Sequence, residues 1–139
     1  MKYIFISILL SIVFTLQSYS QDNQKLKGDI MFENNMHNFK KIKYDSESYY
    51  DFNFKNIGKA PITITKIETS CGCTIAEKPE APIAKKAKGF IRVWYDSKRV
   101  GKFSKTIKVY SDGKNSPIQL MIKGEVLTDE QNTENNKNK

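Results

Sequence analysis

The stretch that decides the fold is Ser48-Tyr49-Tyr50-Asp51-Phe52-Asn53-Phe54-Lys55, read beside Gly89-Phe90-Ile91-Arg92-Val93-Trp94-Tyr95-Asp96. In the first, Tyr50, Phe52 and Phe54 recur at every second position, with Tyr49, Asp51, Asn53 and Lys55 between them. Successive side chains of a strand point to opposite faces, so this spacing puts three aromatic rings on one face and mostly polar groups on the other. That predicts a half-buried strand. The second stretch puts Ile91, Val93 and Tyr95 on an inner face and Phe90, Arg92 and Trp94 on an outer one. Aromatic and β-branched residues suit a pleated, half-buried surface.

The same pattern extends outward in both directions. Asn56-Ile57-Gly58 ends the first strand, and Pro61 to Ser70 (PITITKIETS) starts another. Its leading proline suits a strand start, where no N–H is needed for a ladder. Lys102 to Ser111 offers Phe103, Ile107 and Val109 to one face. Asp112-Gly113 opens a loop, and Ile118 to Val126 returns with Ile118, Leu120 and Ile122 on a shared face. Asp29 to Glu33 and His37 to Tyr44 read as shorter, less regular strands. Helical periodicity is absent after residue 20. About seven short strands separated by turn signals predict an all-β, antiparallel sandwich.

The two ends read differently. Met1-Lys2 gives a positive start, residues 4–16 (IFISILLSIVFTL) are nearly all apolar, and Ser18-Tyr19-Ser20 places small residues three apart. This is the pattern of a secretory signal peptide cut after Ser20, so residues 1–20 are expected to be removed and the protein exported, to the periplasm or beyond. The apolar run is short for a bilayer span, so no membrane span is expected after cleavage. Residues 21–29 form a short leader, residues 30–126 the sandwich, and residues 127–139 a polar tail expected to be disordered. The net charge is +8. A basic domain can point to nucleic acid, but export argues against that partner. The lysines are also dispersed in the manner of solvated faces and protected sheet edges.

Several segments together resemble the bacterial domain of unknown function 1573. Phe54-Lys55-Asn56-Ile57-Gly58-Lys59-Ala60-Pro61-Ile62-Thr63-Ile64 is similar to the family's F-x-N-x-G-x-x-P-[LI]-x-I opening, and Ser70-Cys71-Gly72-Cys73-Thr74 to its hallmark. Pro82-Ile83-Ala84, Gly89 with the Ile91, Val93, Tyr95 alternation, Gly101 to Ile107 and Ile122 to Val126 complete the likeness. His37-Asn38-Phe39 resembles the family's H-D-F-G segment, with Asn38 where that pattern has Asp and Lys40 where it has Gly. The resemblance covers residues 30–126. It implies an immunoglobulin-like sandwich, similar to pilus-chaperone domains and to those of ciliary and spindle-associated proteins. It implies no activity, since sandwiches host many functions.

Cys71, Gly72 and Cys73 are the one chemically unusual feature, and three readings are open. An oxidising compartment favours a disulfide. In a regular strand the Cβ atoms at i and i+2 lie too far apart for one, unless Gly72 allows a tight turn. Such a bridge would close a very small loop and be easily reduced. Two thiolates could instead bind a soft ion such as Cu(I) or Zn(II), although a closed zinc site wants four ligands and the only histidine is His37. The third reading is two thiols filling core space.

Phe90 and Trp94, on the face opposite the expected core, are candidates for a partner-binding patch, because exposed aromatics anchor interfaces. The alternative is partial burial under a loop. Trp94 falls where the family pattern carries a smaller polar residue. His37 has no nucleophile or orienting group assignable to it, so a structural or surface role is expected. Asp45, Asp51, Asp96 and Asp112 lie on separate segments and suit turns and solvated faces. Phosphate-binding glycine loops, zinc-peptidase helices and nucleophile elbows are absent from the sequence. The expectation is therefore a non-enzymatic, exported domain without a cofactor, whose partner is another envelope or secreted protein. The rival expectation is a thiol-based protein that handles copper or exchanges disulfides through Cys71 and Cys73.

Overall fold

A computed structural model describes residues 27–128. The expected signal peptide at 1–20 and most of the leader and polar tail lie outside the described residues. Eight strands follow one another: β1 (Ile30–Phe32), β2 (Met36–Lys43), β3 (Tyr49–Asn56), β4 (Ile64–Thr69), β5 (Thr74–Glu77), β6 (Lys88–Tyr95), β7 (Gly101–Ser111) and β8 (Ile118–Leu127). They form two four-stranded sheets, ordered β1-β3-β6-β5 and β2-β8-β7-β4. This is the expected all-β sandwich.

The two deciding stretches are neighbours. β3 and β6 pair antiparallel, with Phe52 opposite Ile91 and Phe54 opposite Gly89. Their inner residues Phe52, Phe54, Ile91 and Val93 are buried, as are Ile107 and Val109 of β7 and Leu120 and Ile122 of β8. Full burial of such a side chain contributes about 1.5–3 kcal/mol, so this inter-sheet layer is the main source of stability. Leu127 is also buried, and the last strand runs one residue past the boundary expected from the sequence.

Three details depart from the expected pattern. The ladder in the Pro61 to Ser70 stretch begins only at Ile64, and Ile62 makes a separate bridge to Ile83. β5 was not expected, because its one large apolar residue, Ile75, faces solvent rather than the core. Finally, β2 pairs parallel with β8, so the sandwich is not wholly antiparallel. The cause is topological. β2 lies in sequence between two strands of the other sheet and cannot form a hairpin with either. It docks instead on the exposed edge of the last strand.

Asn56 ties the loops together. It is wholly buried. Its Nδ2 donates to the carbonyls of Ala60 at 2.9 Å and Ile83 at 3.0 Å, and its Oδ1 accepts from the Gly58 N–H at 3.0 Å. A Cβ on Gly58 would lie 2.3 Å from the Asp29 nitrogen, so only glycine lets the chain pass there. These contacts give physical content to the Asn-x-Gly of the family-like opening. Lys40 occupies the left-handed region at φ 58°, at the bulge in β2. Its N–H is met by Oδ1 of Asn38 at 2.9 Å. The family pattern carries glycine at this place, and glycine adopts that conformation without a Cβ penalty.

Candidate functional site

The Cys71-Gly72-Cys73 segment lies where the chain crosses between sheets. β4 is an edge of the second sheet and β5 an edge of the first, and residues 70–73 form the corner between them. Both sheets hold the corner. The Ser70 N–H donates to the Thr106 carbonyl at 3.0 Å, and the Asp96 N–H donates to the Cys73 carbonyl at 2.9 Å. Within the turn, the Thr74 N–H and the Thr69 hydroxyl both donate to the Cys71 carbonyl, at 3.4 and 3.0 Å.

The turn brings the two Cα atoms to 5.3 Å, and Cys71 and Cys73 form a disulfide. That separation lies inside the usual range for a bridge. The geometric objection from strand spacing does not apply, because neither cysteine is in a strand. Gly72 is in the turn but outside the left-handed region, and an added Cβ there would meet nothing within 4 Å. Its backbone does not require glycine. Cys73 is 4% exposed, whereas Cys71 is only half-buried.

His37 does not join the cysteines. It sits on β2, at the opposite edge of the second sheet from β4, with two strands between. Its ring stacks on Tyr50 at 3.7 Å and meets Phe39 edge-on at 4.6 Å. Burial holds its pKa below the ordinary value, since desolvation disfavours the charged ring. Among the described residues no three His, Cys, Asp or Glu side chains cluster as metal ligands. Bridged sulfurs are not thiolates, so the pair in this state offers a soft ion no charged ligand.

Phe90 and Trp94 lie on the outer face of the first sheet, with Phe90 45% exposed and Trp94 half-buried. Phe90 lines an open cleft together with Lys78, Pro79 and Glu80 of the loop after β5, and Trp94 is flanked by its neighbours across the sheet. Trp94 pairs in register with Tyr49 on one side and Ile75 on the other. Between the two aromatics, Arg92 makes a two-pronged ion pair with Asp51, both contacts at 2.7 Å. Its guanidinium carbon lies 4.6 Å from the centroid of Tyr49, 5.4 Å from Phe90 and 5.9 Å from Trp94. The Arg92 hydrogen bond holds the Asp51 carboxyl below its ordinary pKa, and the same bond raises that of Arg92.

The cysteine corner and the aromatic face meet. An open cleft of about 510 Å³ is lined by Gly72, Cys73, Ile75, Trp94, Tyr95 and Asp96. Two features that lie apart in the sequence pattern, Cys73 with Gly72 and Trp94, thus border one surface. Tyr49, Arg92 and Ile75 were missed as parts of it. The register of β3, β6 and β5 assembles them, and strand alternation alone had carried a partial signal for Tyr49 and Arg92.

The family described as "Protein of unknown function (DUF1573)" matches residues 30–126. No curated protein matches the chain. Among solved structures, a protein of unknown function from Porphyromonas gingivalis W83 aligns with a TM-score of 0.64 at 11% identity, over 78% of this chain and 51% of that one. This chain therefore spans about half the length of that relative. A PapD-like (ASH) domain of human CEP192 aligns with a TM-score of 0.62 at 6% identity, over 73% of this chain and 87% of that one. The VesB protease of Vibrio cholerae aligns with a TM-score of 0.52 at 9% identity, over 72% of this chain and 31% of that one. At these identities the likeness is one of fold.

Proposed function

The chain belongs to the DUF1573 family, and from that premise we propose that it is an exported, non-enzymatic interaction domain that binds another envelope or secreted protein. One observation carries the reading: the outer face of the first sheet. Tyr49, Phe90, Arg92, Trp94 and Ile75 form a continuous aromatic and cationic surface, with Ile75 67% exposed and Tyr49 45% exposed. Trp, Tyr and Arg are the residues that most often dominate binding energy at interfaces. Here they are already ordered, because Asp51 and the three rings hold Arg92 in place, so little side-chain freedom remains to be lost on binding. Export is supported by the pattern of residues 1–20 and suits a chain that carries a disulfide.

The test compares the exported protein with a Phe90→Ser, Trp94→Ser variant that keeps the native circular dichroism spectrum. Crosslinking in intact cells is expected to give a defined adduct with the wild type and lose it with the variant. An unchanged adduct pattern would remove this face from the proposal. Retention of the wild type in the cytoplasm would remove the export.

A further inference from the structure

Beyond the interaction role, we propose that the Cys71–Cys73 bridge is a two-electron exchange site that oxidises a cysteine pair on a partner polypeptide once, as a stoichiometric oxidant and not a catalyst, with Cys71 as the sulfur attacked. The first argument concerns what the bridge does not do. It joins two residues of one turn, at a sequence separation of 2, and cross-links no pair of strands. A loop this small removes little entropy from the unfolded chain, so the bridge is a poor staple. The corner is held without it, by the Ser70–Thr106 and Cys73–Asp96 backbone bonds to the two sheets. The bridge can therefore open while the fold stays closed.

The second argument concerns access. Exchange needs a thiolate to reach one sulfur and an electron pair to leave on the other. Cys71 is half-buried and Cys73 is 4% exposed. The partner thiolate thus meets Cys71 Sγ first. As the new S–S bond forms, the Cys71–Cys73 bond breaks, and the electron pair leaves on Cys73 Sγ, which takes up a proton. A second thiolate of the same partner then attacks the partner's own sulfur in the mixed disulfide. That step closes the partner's disulfide and releases Cys71 as a thiolate, which is protonated in turn. Two thiols on the partner become one disulfide, and one disulfide here becomes two thiols.

The third argument is a group placed to help. Thr74 is buried, and its Oγ1 lies 3.7 Å from Cys71 Sγ and 4.0 Å from Cys73 Sγ. Its hydroxyl can donate to whichever sulfur carries the charge, and a hydrogen bond to the charged form favours that form. Thr74 acts as a positioning residue. The cleft on the Gly72 and Cys73 side of the turn, with Ile75 and Trp94 in its lining, gives the partner an apolar seat next to the bridge, though Cys71 itself lies outside that lining.

The test titrates the exported chain, purified without reductant, against mixtures of reduced and oxidised glutathione. Free thiols are counted by alkylation and mass spectrometry, and the near-ultraviolet circular dichroism spectrum is followed in parallel. Reversible reduction of the bridge with the native spectrum retained is the expected result. A bridge that survives a hundredfold excess of reduced glutathione, or opens only on unfolding, would overturn the proposal. The direction is tested separately. Cys73→Ser is expected to form a glutathione adduct at Cys71 at least tenfold faster than Cys71→Ser forms one at Cys73. Faster reaction at Cys73 would overturn the assignment of Cys71 while leaving exchange itself standing. Thr74→Val is expected to slow adduct formation at Cys71 and to shift its pH profile upward without altering the melting temperature. An unchanged profile would remove Thr74 from the mechanism.

Discussion

Arg92 and Asp51 face each other across β3 and β6 and bind through both prongs, Nε to Oδ1 and Nη2 to Oδ2, each at 2.7 Å. The pair is partly open to water, so its worth lies in orientation more than in stability. It holds the guanidinium flat among Tyr49, Phe90 and Trp94. Lysine offers a point charge without the planar fork. Arg92→Lys is therefore expected to weaken partner binding through the outer face while leaving the melting temperature within a few degrees of the wild type. The Asp51 carboxyl is held below its ordinary value of 3.8. Its contribution is present above that value and is lost as pH falls through the lowered one. Melting temperatures of wild type and Asp51→Asn should converge in strong acid and separate as pH rises past 4. Parallel curves over that window would show that the pair does not couple to stability.

Asn56→Ala should be the most damaging single polar substitution in the sandwich. It strips the partner from the Ala60 carbonyl and from the Gly58 and Asp29 N–H groups, and takes one of two donors from the Ile83 carbonyl, which keeps the Ile62 N–H; Asn56 itself is wholly buried. Each buried polar group left unpaired costs about 1–3 kcal/mol, so a loss of roughly 3 kcal/mol or more is expected. Urea denaturation measures it, and a loss below about 1 kcal/mol would mean that water replaces the side chain without difficulty.

His37 gives the fold a dependence on mild acid. Burial lowers its folded pKa below the ordinary 6.5. The unfolded chain then binds a proton more readily than the folded one, so stability falls as pH drops below 6.5 and levels off beneath the lowered folded value. His37→Phe keeps a ring against Tyr50 and removes the titrating group. The melting temperature of the variant is expected to change less than that of the wild type between pH 8 and pH 5. Equal changes would place the titration elsewhere.

Lys40→Gly is expected to stabilise. The position is left-handed, with φ 58°. The left-handed conformation costs a non-glycine residue about 1–2 kcal/mol, and the greater freedom of glycine in the unfolded chain offsets part of the gain. A net gain of about 0.5–1 kcal/mol should appear as a raised urea midpoint with an unchanged slope. A lowered midpoint would mean that the lysine stem packs usefully on the sheet.

Much of the fold was legible because its deciding strands alternate. Tyr50, Phe52 and Phe54, and Ile91, Val93 and Tyr95, all turn to the interior as the spacing requires. β5 was not legible. Its short Thr-Ile-Ala-Glu run points its large residue outward, and only pairing with β6 makes it a strand. The parallel docking of β2 was equally hidden, since register between distant segments leaves no local pattern. At the candidate site, Cys71, Cys73, Phe90 and Trp94 stood out as residue types. That Cys73 and Trp94 line one cleft follows from the crossing of the chain between sheets, which no spacing along the sequence encodes.

The parallel pairing of β2 with β8 also sets a timetable. β2 is among the first segments to be made, and its sheet partner is the last. Contacts this far apart along the chain form slowly, because a long loop must close before they are rewarded. Until Ile118 to Leu127 has emerged, β2 has no ladder to join and one side of β7 lacks its partner. A nascent chain is thus held short of its native state until synthesis of the domain is nearly complete, and a truncation before Ile118 should abolish folding rather than trim it.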